Sequence, residues 1–417
     1  MADVEPLLAL HYDLARVGGL QPVAAPPYDV IDAEQRAALV SRSPYNVVEI
    51  DLPRDGGDPY AHAADVLATW TADGIVVRDG EPALWALAQD YTGPDGRART
   101  RHGVFARVRV EDYGPGRIRP HERTHPGPKE DRLRLTRATR ANLSPIFSLY
   151  DDPGNAAWGA VEPHTETSPW GEVVDEDGTR HRLWRIADPQ AVSGFQDALR
   201  GVELLIADGH HRYETARIYA REPGAPPGAD HVLMCLVALQ DPGLTVFPTH
   251  RLVTGLDDAK RAALQAALAR DWDGVSTDEL EPPPADAVQV GYYDGSTPQR
   301  LTLKDPRIAA DALPGKPEAY RRLDTAVLEA LILEGALGMS EDDISHLHGL
   351  DYARTVAQAR ERVDRGTADA AFFMAATPVS RVRDVAAAGE NMPPKSTYFY
   401  PKVLTGMVFN PLEERWP

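Results

Sequence analysis

The residues with the clearest chemical potential lie in the stretch LLIADGHHRYETA, residues 204–216. An apolar run leads into Asp208, Gly209, His210, His211 and Arg212, and a helical pattern follows. Gly209 permits a tight, left-handed turn. The free amides and dipole of the following helix make an anion site. His210 and His211 add donors, and Arg212 can grip a phosphate through two parallel hydrogen bonds. Asp208, at the carboxyl end of a strand, is placed to hold a metal ion or accept a proton; ligands of α/β folds collect at such ends. The plainer reading is that Asp208 only caps the helix. Zinc binding by His210 and His211 is not expected, because adjacent side chains diverge.

A second group is RPHERTHPGPKEDRL, residues 119–133. His121-Glu122-Arg123-Thr124-His125 has the letters of the zinc-protease pattern, which needs both histidines on one helix face. Pro120 and Pro126 flank the pattern, and the proline disfavours helix at His125. A proline-framed loop is expected instead, with His121, Arg123, Lys129 and Arg132, beside Arg119, offering phosphate donors. Arg134, Arg137 and Arg140 continue the positive field. The alternative is a solvated strip paired with Glu122, Glu130 and Asp131.

A third group is PPKSTYFYPK, where Lys395, Ser396 and Thr397 could close over a phosphate and Tyr398 or Tyr400 could line a pocket. Aromatic alternation there also fits a packing strand. The fourth comprises carboxylates near the N-terminus: Asp29 in PPYDVI, and Glu49 with Asp51 in NVVEID.

These groups need elements to hold them. NVVEIDLP reads as a strand ended by Pro53, and residues 58–73 and 189–200 as helices. ALWALAQDY and RTRHGVFARVRVEDY read as a hairpin across GPDG. GEVVDEDGTRHRLWRI reads as a second hairpin turning at Asp177-Gly178. VLMCLVALQ is a buried strand, residues 257–271 are helical, and LDTAVLEALILEGAL is an amphipathic helix. The fold class is therefore α/β, of the mixed α+β kind with antiparallel hairpins. Two domains are expected, residues 1–250 and 251–417, the second a C-terminal α/β extension that contributes PPKSTYFYPK.

Composition narrows the function. The 417 residues carry a formal net charge of −19, which argues against a broad nucleic-acid face. Dense cations on such a background suit a small polyanion better than a polymer. A single cysteine, Cys235, excludes an intramolecular disulfide and fits a reducing cytoplasm. Cys235 reads as a small core hydrophobe. No signal peptide or membrane span is expected. There is no phosphate-loop signature of the G-x-x-x-x-G-K-[ST] type and no protein-kinase signature.

Taken together, APPYDVI, NVVEIDLP, HERTHPGPKEDRLRLTRATRANLSPIFSLY, DGHHRYETA, DPGLTVFPTHRLV and GENMPPKSTYFYPKVLTG resemble one widespread bacterial and archaeal family, catalogued as a domain of unknown function. The DGHHR turn is in turn similar to the phosphate loop of the ParB/sulfiredoxin superfamily, which includes free-serine kinases. The resemblance implies a ParB/sulfiredoxin-like phosphate-binding core in residues 1–250 and a kinase making O-phosphoserine from L-serine. ATP, ADP or pyrophosphate would be the donor, with Mg²⁺ expected. Gly209, His210, His211 and Arg212 would hold the donor, Asp208 would sit at metal or acceptor, and Glu49 or Asp29 would orient the serine hydroxyl. Partners are then a small-molecule donor and an amino-acid acceptor, with neither nucleic acid nor membrane; a homodimer is left open. The competing class is a nucleotide- or polyphosphate-binding regulatory protein without turnover.

Overall fold

The computed structural model describes residues 3–54, 57–93, 95–122 and 126–413. The chain is mixed α/β and divides into two compact units. The first comprises Met1–Pro120, Thr124–Thr245 and Pro401–Pro417; the second comprises His121–Arg123 and Val246–Tyr400.

The first unit is built on one large sheet. Its strands run, from one edge, Ile118–Arg119, Leu204–Asp208, Ile146–Tyr150, His231–Ala238, Ala98–Arg109, Leu84–Thr92, Arg180–Ile186 and Gly171–Val174, and Val4–Glu5 also pairs with Ala98–Arg109. Both expected hairpins are present, with Trp85 opposite Phe105 in one and Arg180 opposite Val174 in the other. Gly178 makes the second turn with φ 81°. Every residue of His231–Ala238 is buried, because helices cover the centre of the sheet. Cys235 is core, as its apolar setting predicts, and burial pushes its thiol up to about 12. Val104, Ile146, Phe195, Ile206, Tyr213 and Met234 belong to the main core. Residues beyond Pro401 are woven into this unit: Thr405 N–H donates to Ala25 O at 2.9 Å, and Asn410 pairs with Asn142.

Two local expectations are corrected. NVVEID is not a strand but a short helix, Val48–Asp51. The Asn46 side chain accepts from Val48 N–H at 3.2 Å, and Asp51 N–H bonds Val47 O at 2.8 Å. This local cap outweighs the β-branched pattern. The proline-framed loop is helical from Pro126 to Thr139. Proline is tolerated in the first turn of a helix, where the missing N–H has no partner to lose.

The second unit carries an antiparallel sheet in the order Trp272–Ser276, Gln299–Leu303, Gln289–Tyr293, Ala370–Phe373, His250–Val253 and Leu350–Ala353. Its core holds Trp272, Val327, Ile332 and Phe372. The expected amphipathic helix begins at Asp324–Leu328 and continues as a π-helix, Glu329–Ala336. No helix among the described residues is long and apolar enough to cross a membrane.

Candidate active site

The strand Leu204–Asp208 ends where Gly209 turns left-handed, at φ 95° and ψ 28°, and the helix His210–Tyr219 starts immediately. Arg212 follows Asp208 by four positions, about one helical turn. Arg212 Nη2 donates to Asp208 Oδ2 at 3.0 Å, and Nη1 donates to the Pro145 carbonyl. Arg212 Nε is buried without a hydrogen-bond partner. A Cβ on Gly209 would stand 2.9 Å from that same Nε, so glycine is needed for closeness as well as for φ. The other Asp208 oxygen faces Lys402 Nζ at 3.4 Å. Burial alone would raise the Asp208 carboxyl; Lys402, Arg212 and His210 outweigh it and hold the group far below the usual carboxylate range. Burial disfavours the Arg212 charge, but Asp208, Asp29, Tyr28 and Asp51 raise its pKa overall. His210 is buried at the first helical position and His211 is half-buried.

Arg212 also lines a small pocket with Asp51, Arg132, Ser144 and Thr215. Arg132 Nη1 donates to Asp51 O at 2.6 Å and approaches Asp51 Oδ1 at 3.3 Å. Ser144 Oγ donates to Asp51 Oδ2 at 2.7 Å and lies 2.9 Å from Thr405 Oγ1. The Arg132 guanidinium stacks on the Tyr28 ring at 4.1 Å. Burial, against the pull of Arg212, pushes the Tyr28 hydroxyl up to about 12. Two guanidiniums and one carboxylate, Asp51, line this pocket, while Asp131 pairs with Arg132 at 2.6 Å and Asp208 with Arg212.

Of the candidates named from sequence, Asp208, Gly209, His210, His211, Arg212, Lys129 and Arg132 lie in the first unit, with Asp29 and Glu49. Lys129 is half-buried on the helix Pro126–Thr139, and its carbonyl accepts from Thr215 Oγ1 at 3.4 Å. Asp29 is exposed in the turn Tyr28–Val30, within electrostatic reach of Arg212. Glu49 Oε1 stands 3.7 Å from Arg36 Nη2 and has no hydrogen bond, although it is buried. Arg119 is taken by Glu203 at 2.7 Å.

His121, Lys395, Ser396 and Thr397 fall in the second unit. His121 Nε2 and Thr397 Oγ1 are 2.9 Å apart, so these two candidates do meet. Lys395 is exposed with φ 54°, a left-handed turn residue. Ser396 is spent on the turn, donating to Pro393 O at 2.7 Å and lying 3.2 Å from Thr325 Oγ1. Arg123 and His125 lie outside the described residues. The zinc-protease letters are not on a helix at His121, and the next helix begins only at Pro126.

The sequence reading passed over Lys402 and Ser144 as site residues. Lys402 is the second lysine of PPKSTYFYPK, so the signal was present in a motif already singled out. Mg²⁺ does not fit Asp208 as a seat built by protein alone: both oxygens face cations, and hard cations need several oxygen ligands. Among the described residues, Asp208 is in no group of three close carboxylate, histidine or cysteine ligand atoms. Asp3, Glu5 and His231 do form such a group, but Arg107 already binds Glu5 and Arg109 lies 3.6 Å from Asp3.

Several solved structures resemble the chain at a distance. A conserved hypothetical protein from Pyrococcus furiosus is 13% identical with a TM-score of 0.38, over 73% of this chain and 93% of that one. A free serine kinase in complex with AMP is 14% identical with a TM-score of 0.39, over 71% and 86%. SbnI with a C-terminal truncation, from Staphylococcus aureus, is 13% identical with a TM-score of 0.38, over 74% and 87%. No curated protein sequence matches. The family model described as "Protein of unknown function (DUF1015)" matches residues 4–326, and the chain belongs to that family.

Proposed function

We propose that the protein is a small-molecule phosphotransferase that phosphorylates free L-serine or a similar small hydroxyl compound. The observation that carries this reading is the turn Asp208–Arg212. A left-handed glycine, a fresh helix N-terminus, an orphaned guanidinium N–H and Lys402 converge on one carboxylate. A phosphate has little covalent help to receive from a protein; catalysis is positioning and charge neutralisation. The helix amides, Arg212 and Lys402 would hold the donor phosphates, and His211 and Lys129 stand on the two helices that bring Arg212 and Arg132 into one pocket. Serine as acceptor rests on the similarity of DGHHR to the loop of the free-serine kinases.

In the reaction, the acceptor oxygen forms a bond to the transferred phosphorus while the bond from that phosphorus to the donor's bridging oxygen breaks. The hydroxyl proton passes to a carboxylate. Glu49, with its buried and unsatisfied Oε1, is the better candidate than the exposed Asp29. Any Mg²⁺ would arrive on the donor phosphates.

A second reading, a nucleotide- or polyphosphate-binding regulator without turnover, is favoured by one observation: both Asp208 oxygens are engaged by the chain's own cations. Incubation with serine and ATP, ADP or pyrophosphate in turn, followed by ³¹P NMR, decides between them. An O-phosphoserine resonance growing with one donor supports the kinase. Tight donor binding with no new resonance from any donor would replace it with the regulator.

A further inference from the structure

We infer that Gln89 and His181 are positioning residues for Lys402: a buried hydrogen-bond chain from the Asp175 turn fixes the segment that presents Lys402 to Asp208. The chain starts at Asp175, in the turn between Gly171–Val174 and Arg180–Ile186. Asp175 Oδ2 lies 2.9 Å from His181 Nε2, and His181 Nδ1 lies 3.1 Å from Gln89 Nε2. The same Gln89 nitrogen donates to the Lys402 carbonyl at 2.9 Å. Gln89 Oε1 accepts from Arg101 Nε at 2.9 Å and from Arg101 Nη2. Gln89, Arg101 and His181 are each at most 1% exposed.

The donors and acceptors admit one arrangement. A carboxamide nitrogen only donates, so His181 Nδ1 must accept and Nε2 must carry the hydrogen that goes to Asp175. Burial lowers the His181 pKa despite Asp175, which keeps the ring in the neutral form this arrangement needs. Arg101, itself stacked at 4.4 Å on the Phe147 ring, fixes the carboxamide from its oxygen side. Both Gln89 hydrogens are then committed, one to each neighbour. A buried carboxamide and imidazole committed in this way have one low-energy arrangement. Its outlet is the backbone of Lys402, whose ammonium faces Asp208 at 3.4 Å beside Arg212 and His210. Gln89 and His181 touch neither Asp208 nor the turn after it in this chain of contacts; they act through Lys402.

The catalytic meaning rests on the function proposed above, but the test does not require turnover. Lysine acetylation by an amine-reactive acetyl ester, resolved by peptide mass spectrometry, reads how firmly Lys402 is held. Lys260 and Lys316 serve as internal references. Gln89→Glu keeps an acceptor for Arg101 but sets an oxygen against the Lys402 carbonyl. It should acetylate about tenfold faster at Lys402 alone, as Asp208→Asn should, since a charge-assisted contact is lost. His181→Phe, which removes both ring nitrogens, should shift the same site in the same direction and guards against a misfolded Gln89→Glu. A Lys402 rate unchanged in both variants while Asp208→Asn raises it overturns the inference. So does an unchanged rate in Asp208→Asn, because the pair itself would then not exist. Failure of the kinase reading appears separately, as absent O-phosphoserine with these rates shifted as expected.

Discussion

Arg212 Nη2 meets Asp208 Oδ2 at 3.0 Å across a single turn of helix, with the Arg212 side chain 8% exposed and that of Asp208 19% exposed. The pair defines the mouth of the candidate site, and its removal is the most informative perturbation. Arg212→Ala leaves Asp208 beside Lys402 and His210. The expected stability loss is on the order of 3 kcal/mol, the cost of removing one partner of a buried ion pair. Phosphoryl transfer should fall roughly 100-fold or more. Urea unfolding and ³¹P NMR turnover measure the two effects separately; parental values for both would remove the pair from the site.

Asp208 also makes stability depend on acid. Its folded pKa lies well below the unfolded value of about 3.9, so its contribution is complete above that pH. It is lost as pH falls from there through the folded pKa. Asp208→Asn should therefore be less stable than the parent at pH 7, and the gap should narrow at pH 3. Denaturant midpoints at the two pH values give the answer, and a constant gap would contradict it.

Gly209→Ala is predicted to damage the turn twice. Its φ of 95° disfavours a side chain, and the new Cβ would press on Arg212 at 2.9 Å. A loss of about 1–3 kcal/mol is expected, with weakened ADP or pyrophosphate binding. Thermal melts and calorimetry check both halves. An unperturbed melt would mean that the helix start can relax.

Asp51 and Glu49 should separate structure from chemistry. Asp51→Asn loosens Arg132 and Ser144 and should cost about 2 kcal/mol, read as a lowered melting temperature. Glu49→Gln should fold normally and bind donor, yet transfer at least about 100-fold more slowly. Normal transfer in Glu49→Gln would move the base to Asp29.

In the second unit, burial lowers the His250 pKa to about 4, with Arg251 adding to the effect, and Nδ1 accepts from Met374 N–H at 3.2 Å. Protonation then favours the unfolded chain, so stability is full above about pH 6.5 and declines toward pH 4. The decline attributable to this ring is about 3 kcal/mol over that window. His250→Gln should flatten the curve measured by urea unfolding at pH 7, 5.5 and 4.5. An equally steep curve would assign the acid sensitivity elsewhere.

The turn after Leu204–Asp208 was legible because three signals agree there: an apolar strand, a glycine where φ is positive, and a helical period. The two hairpins were legible for the same reason, alternation bounded by turn residues. NVVEID misled because its β-branched residues read as strand while Asn46 caps a helix, a local bond invisible to periodicity. Pro126 and Pro128 read as helix breakers, though in a first turn they break nothing. The link from His181 and Gln89 to Lys402 was beyond sequence reading for another reason. Gln89 and Lys402 are 313 positions apart, and only the folded sheet brings them within 2.9 Å.

Lys402 follows Asp208 by 194 positions, yet both belong to the first unit. Translation at about 5–20 residues per second separates their synthesis by roughly 10–40 s. During that interval the sheet can assemble around Leu204–Asp208 while the turn after it still lacks its second cation, Lys402. Residues 246–400 are synthesised in the meantime, before the chain returns to complete the earlier unit. A nascent chain halted in that window would present an incomplete site, so competence at the Asp208 turn reports that synthesis has run past Lys402.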